Sequence, residues 1–189
     1  VYDFADSRSG RHARDFLGDW RGGLVCDDFS GYKACFEQPD ECGRTITELG
    51  CMAHARRKFF DLHAANASQI AAAALEHFAE LYEIEQRGRD APAPARLALR
   101  QREARPIADA LHEWLTLWRS RVSDGSATAK AIDYSLRRWA ALTRYLNDGA
   151  APIDNNWCEN QIRPIALGRS NWLFAGSLRA GKRAAAAMS

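Results

Sequence analysis

The acids whose neighbours set them apart are Asp27 and Asp28, which close the apolar run Leu24-Val25-Cys26, and Glu159, in Asp154-Asn155-Asn156-Trp157-Cys158-Glu159-Asn160-Gln161-Ile162-Arg163-Pro164. Carboxylates are hard oxygen donors. A strand that ends in two of them and a helix that opens with a third can bring them to divalent cations from separate elements. The same positions have plainer uses. Asn156 and Glu159 have the spacing of a helix N-cap and its N3 partner, so Glu159 is also placed to reach back to the backbone in a capping box. Asp28 or Ser30 would cap the short segment through Tyr32 and Phe36. Cys51 and His54 have the spacing of a metal-ligand pair. One Cys and one His leave a tetrahedral zinc site incomplete, however, and His54 reads better as a hydrogen-bonded packing histidine.

The basic residues complement these acids. Arg56-Arg57-Lys58 is a solvated helix face or a grip for phosphate. Residues 160–189 carry Arg163, Arg169, Arg179, Lys182 and Arg183 with no acid, in the company of Trp172 and Phe174, whereas acids outnumber bases in residues 1–50. A basic end of that kind suits a polyanion, and arginines near helix ends also serve backbone carbonyls.

The chain that carries these groups has 189 residues, 47% apolar and 26% charged, enough for one sizeable core. No apolar run is long enough to cross a bilayer. The five cysteines are odd in number and form no Cys-x-x-Cys pair, which argues against a disulfide framework or a zinc ribbon and for a reducing, cytoplasmic setting. Without an initiator Met, and ending within a helical pattern, the sequence reads as a piece of a longer protein.

Val1 to Asp6 alternates as a strand, Arg11 to Trp20 has helical spacing, Leu24 to Cys26 reads as a buried strand, and Ile46 to Met52 as a third strand that runs into a helix at Ala53. From Asn66 to Asp148 the pattern is wholly helical. One stripe holds Ile70, Ala74, Phe78, Leu81 and Tyr82; a second holds Ile107, Leu111, Trp114, Leu115, Trp118 and Val122; a third holds Ile132, Leu136, Trp139, Thr143 and Leu146. Breaks are expected at Ala91-Pro92-Ala93-Pro94, at Asp124-Gly125 before a capping Ser126, and at Asn147-Asp148-Gly149, with Pro106 starting or kinking a helix. The helix carrying Glu159 should stop at Gly168. Asn171 to Gly176 forms an apolar turn or strand, and Ser177 caps a basic last helix.

Leu24 to Tyr32, Cys51 to Phe60, Asp154 to Pro164, and Ala166-Leu167-Gly168-Arg169-Ser170-Asn171-Trp172-Leu173-Phe174-Ala175-Gly176-Ser177, in that order, resemble the transposases of the insertion-sequence-66 family. The resemblance covers nearly the whole chain. It implies an α+β fold with part of an RNase H-like sheet in residues 1–52, an all-helical insertion over 53–150 between the third strand and the Glu-bearing helix, and that helix with a basic segment over 151–189. It also implies an Asp-Asp-Glu triad holding two magnesium or manganese ions. The second acid of the triad falls on Asp27 and the third on Glu159, with Asp28 and Asp154 as alternates; the first lies upstream of Val1. Three departures stand out: Asp28 where the family has Gly, Phe29 where it has Tyr, and Asn160 where it has Arg. Cys51, His54, Asn155 and Asn156 belong to the family's structural motifs. The resemblance further implies DNA cleavage and strand transfer by a bacterial, nucleoid-associated enzyme working as a dimer or larger synapse, with transposon ends and target DNA as partners and accessory proteins of the element beside them. Arg56, Arg57, Lys58, Arg163, Arg169, Arg179, Lys182 and Arg183 would contact DNA. The alternative is a catalytically inactive DNA-binding or regulatory remnant; lacking the first acid, these residues alone are expected to be inactive.

Overall fold

Serines at the heads of apolar-periodic stretches set the helix starts. Ser9, Ser68, Ser126 and Ser177 each accept a hydrogen bond on Oγ from a backbone N–H in the following first turn. The computed structural model describes residues 3–37, 39, 42–43, 45–168 and 177–188. Along them run α1 (Gly10–Leu17), β1 (Gly23–Cys26), α2 (Lys33–Glu37), β2 (Thr47–Gly50), α3 (Met52–Asn66), α4 (Gln69–Arg87), α5 (Ala93–Leu99), α6 (Arg105–Arg119), α7 (Ala127–Arg137), α8 (Trp139–Thr143), α9 (Asn156–Gly168) and α10 (Leu178–Met188). The protein is therefore mostly helical with a small sheet, an α+β chain. Thr47 N donates to Gly22 O and Cys51 N to Cys26 O, so β1 and β2 run parallel in constant register.

The chain divides into two compact units. One comprises residues 23–28 and 48–155. In it α3 packs on α4 and α7, and α6 packs on the same two helices. The three apolar stripes supply the core: Ala74, Phe78, Leu81, Leu111, Leu115, Ile132 and Leu146 are fully buried, and the rings of Phe59 and Phe78 meet at 5.7 Å between centroids. Each such large side chain removed from water contributes roughly 1.5–3 kcal/mol. The third stripe is not one helix. It is divided at Arg138 into α7 and α8, then a 3₁₀ turn Arg144–Asn147.

Pro106 opens α6 as its sequence position suggests. Lacking an N–H, it cannot bond to the carbonyl a turn earlier, and the chain enters α6 through a π-helical turn, Arg100–Ala104. Arg100, in the arginine-rich stretch, is only 1% exposed. It donates to Glu85 with two nitrogens at 2.8 and 2.6 Å, to the carbonyls of Tyr145 and Ala151 at 3.0 and 2.9 Å, and to that of Asp148. One buried guanidinium thus gathers the loop that leads to Asp154.

The other unit comprises Val1–Gly22, Phe29–Thr47 and Asn156–Ser189. The first expected strand is not formed by its described residues, Asp3 to Asp6. Asp3 turns its carboxylate onto Phe4 N at 2.8 Å, and a side chain that bonds the local backbone competes with a ladder. Phe4 instead lays its ring where a Cβ on Gly181 of α10 would stand. The sheet of the described residues accordingly has two strands. The expected third strand is its second, shortened to Thr47–Gly50 because Met52 already begins α3. The helix expected to reach Trp20 stops at Leu17, where Gly18 takes φ +49°. The turn Ser30–Tyr32 is headed by Phe29, which makes no side-chain cap hydrogen bond.

Candidate active site

β1 grows more buried along its length and ends at Cys26, and the chain leaves the C-terminal edge of the parallel pair through half-buried Asp27 and exposed Asp28. Asp28 points at Arg138, at the α7–α8 junction: Arg138 Nη1 donates to Asp28 Oδ1 at 3.0 Å and to Glu48 Oε1, on β2, at 2.7 Å. Arg138 is 6% exposed, Glu48 20% and Asp28 41%. Burial works against the guanidinium charge, but the hydrogen bond and charge of Glu48, with Asp28 behind them, outweigh it and hold the Arg138 pKa above its ordinary value. This ion triplet spends the negative charge of Asp28 on an internal cation.

The surroundings of these acids resist further negative charge. Burial, then the Glu48 and Asp27 charges against a smaller opposing pull from Arg138, push the Cys26 thiol up to about 11. Burial, with Asp28 and Asp27 adding to it, pushes the Tyr134 phenol up to about 12 even though Arg138 pulls the other way. Lys58 Nζ lies 5.4 Å from the centre of the Tyr134 ring, so the cation triplet of α3 sends one member here. Its neighbours face elsewhere. Arg57 pairs with Asp61 at 2.7 Å, and the Arg56 guanidinium lies 5.9 Å from the Phe60 ring centre.

A second set of contacts fixes the approach to Glu159. Met52 N donates to Ile153 O at 3.1 Å, Tyr82 donates to Asp154 Oδ2 at 2.7 Å, and Cys51 Sγ donates to Asn155 Oδ1 at 2.9 Å. Burial and this bond to Asp154 raise the Tyr82 phenol well above its ordinary range, and burial raises the Cys51 thiol. Cys51 and Asn155 are therefore a backbone-positioning pair. His54, one turn into α3, is half-buried and shares no zinc cluster among the described residues.

Asn156 is the first residue of α9, and Glu159 stands exposed in its first turn. They belong to the second unit, together with exposed Arg163 on α9 and exposed Arg179, Lys182 and Arg183 on α10. Arg169 and the apolar stretch 171–176 lie outside the described residues. Within the first unit, then, Arg138 holds Asp28, the charges of Asp28 and Asp27 act on Tyr134, whose ring Lys58 approaches, and Tyr82 and Cys51 hold Asp154 and Asn155. Glu48, Arg138 and Tyr82 are the members that spacing alone does not reveal.

Comparison with known proteins supplies the context for these groups. A family model described as Transposase IS66 family matches residues 1–183. The chain belongs to the IS66 transposase family. Three relatives from Sinorhizobium fredii are similar to it: the uncharacterized protein y4hP, 37% identical over 98% of this chain and 36% of its own length; y4qI, 38% identical over 96% and 34%; and y4jD, 34% identical over 96% and 36%. The chain spans about a third of the length of these relatives. No solved structure matches it significantly.

A divalent metal ion asks for hard oxygen donors arriving from separate elements. The acids present fit that requirement in donor type, being carboxylate oxygens on a strand end and a helix start. Among the described residues no group of three or more His, Cys, Asp or Glu side chains could hold an ion, and no helix is long and apolar enough to cross a membrane.

Proposed function

We propose that this chain is the greater part of the catalytic domain of a DDE-type DNA transposase, with Asp27 and Glu159 as two of its three metal-binding acids. The observation that carries the reading is the family match over residues 1–183 together with Asp154-Asn155-Asn156-x-x-Glu159. In this reading β1 and β2 belong to an RNase H-like sheet and residues 53–150 are its helical insertion. The remaining acid comes from the part of the longer relatives that this chain does not span. Two bound magnesium or manganese ions would activate a water or a DNA 3′-hydroxyl and stabilise the leaving oxygen.

The protein's own residues have distinct tasks. Asp27 and Glu159 supply oxygen ligands. Arg138 pairs with Asp28 and Glu48 and offsets one of their two charges, which lessens their competition with Asp27 for cations. Tyr82 and Cys51 hold the residues leading to Glu159. Arg56, Arg57, Lys58, Arg163, Arg169, Arg179, Lys182 and Arg183 meet DNA phosphates, whose charge makes binding salt-sensitive. The active species is a dimer or larger synapse on transposon ends and target, with accessory proteins of the element as further partners.

The test is magnesium-dependent end cleavage and strand transfer by the full-length protein and its variants. Asp27→Asn and Glu159→Gln should abolish both reactions and leave DNA binding largely intact, whereas Asp28→Asn should keep measurable transfer. Near-normal transfer by either of the first two would remove the assignment. The 189 residues alone should bind DNA weakly and join no strands.

A further inference from the structure

Between the start of α1 and the Ser30–Tyr32 turn lies an open cleft of about 390 Å³ whose charged lining among the described residues is Arg8 and Arg14, with no acid among them. We propose that this cleft binds a backbone phosphate of a DNA strand. The proposal rests on the transposase reading and adds a contact remote in sequence from the basic end.

Three features make the cleft more than a pair of surface cations. The Arg8 guanidinium lies over the Phe29 ring, 4.8 Å from its centre, which restrains the side chain and leaves the N–H edge of the fork for an oxyanion. Arg14 stands one turn after Gly10, and both line the cleft, so one face of α1 supplies the second cation and part of the floor. The floor is bare backbone at Gly10: a Cβ there would come within 2.3 Å of Gly31 O, so α1 meets the Ser30–Tyr32 turn only because Gly10 lacks a side chain, and a Cβ on Gly31 would strike the Phe29 ring on which Arg8 lies.

Charge pairing separates these arginines from their neighbour. Arg11, on another face of α1, is offset by Asp15 at 3.7 Å, whereas among the described residues neither Arg8 nor Arg14 is paired with a carboxylate. Two cations without a carboxylate partner among the described residues, around a small concavity that Ser30 also lines, suit the anionic oxygens of a phosphodiester. An uncharged or cationic ligand would leave that charge unanswered.

The experiment measures affinity of the full-length protein for a fluorescein-labelled duplex by anisotropy across a salt series. Arg8→Ala and Arg14→Ala should each weaken binding roughly tenfold and lower the salt slope by about one, and the double variant by about two. Arg11→Ala removes the same formal charge from an already paired site and should leave the slope unchanged. Arg8→Lys, which keeps the charge but loses the fork, should retain the slope with weaker affinity.

Wild-type slopes in Arg8→Ala and Arg14→Ala, in a protein that binds DNA, would overturn the site while leaving the transposase reading in place. Absence of wild-type binding would bring down both. A titration with inorganic phosphate, followed at the Gly10 and Gly31 amides, separates a free-anion site. If these arginines govern that response and not the DNA slope, the proposal fails.

Discussion

Arg138→Met keeps much of the side-chain volume while deleting the charge that Asp28 and Glu48 share. Breaking a fully buried ion pair by removing one partner costs about 3–5 kcal/mol, because the other charge is left without compensation. Here the two acids divide unequally. Asp28, 41% exposed, can recover water, whereas Glu48, 20% exposed, is stranded beside the sheet. The expected destabilisation is therefore about 2–4 kcal/mol. Glu48→Gln in the same molecule removes the stranded charge, and the double variant should recover most of the loss, to within about 1 kcal/mol of wild type. Urea unfolding followed by the fluorescence of Trp114, Trp118 and Trp139, which pack on the same core, provides the assay. With a denaturant slope of about 2–3 kcal/mol/M, the single variant should unfold about 1 M earlier and with unchanged slope. A midpoint shift below about 0.3 M, or strictly additive single variants, would refute the claim that Arg138 is held by these acids.

Arg100→Met should cost about 3–5 kcal/mol in the same assay, since it strands Glu85 and withdraws donors from three carbonyls. Tyr82→Phe leaves Asp154 without its phenol partner and should lower stability by about 1–3 kcal/mol, seen as an earlier thermal midpoint. Folding raises the Cys26 thiol from 9.0 to about 11, so its contribution is complete below pH 9 and is lost as pH rises through 11. Across that interval wild type should lose up to about 2–3 kcal/mol more than Cys26→Ala. A thiol reagent at neutral pH should label exposed Cys42 and Cys158 rapidly and Cys26, Cys35 and Cys51 slowly; equal rates would contradict their burial.

Local rules made much of this chain legible. Ser126 and Ser177 cap where their position before apolar patterns says they should, Pro106 opens a helix, and the central residues of the three stripes are the core. Alternation over Val1 to Asp6 misled because a short polar side chain, Asp3, bonds its own backbone and Phe4 packs on a helix rather than in a sheet face. The contacts that organise the acids could not be read from spacing. Arg138 meets Glu48 and Asp28 across most of the helical segment, and Tyr82, counted as one more apolar member of its stripe, turns its hydroxyl onto Asp154. Arg100 sits in a run that composition marks as solvated, yet it is enclosed because the π turn rotates it inward onto carbonyls. Burial of a charge is decided by partners distant in sequence, and no local pattern encodes them.

The bonds from Cys51 to Asn155 and from Met52 to Ile153 join the two ends of the helical excursion like the clasp of a necklace. Lengthening a connection inside such a closed loop costs only about 0.6 kcal/mol per doubling of that connection and leaves the spacing of its end points unchanged. Extra residues near Asp90 or Asp124 should therefore be absorbed without moving Asn155, so relatives are free to elaborate this region while the residues that follow the clasp keep their starting point.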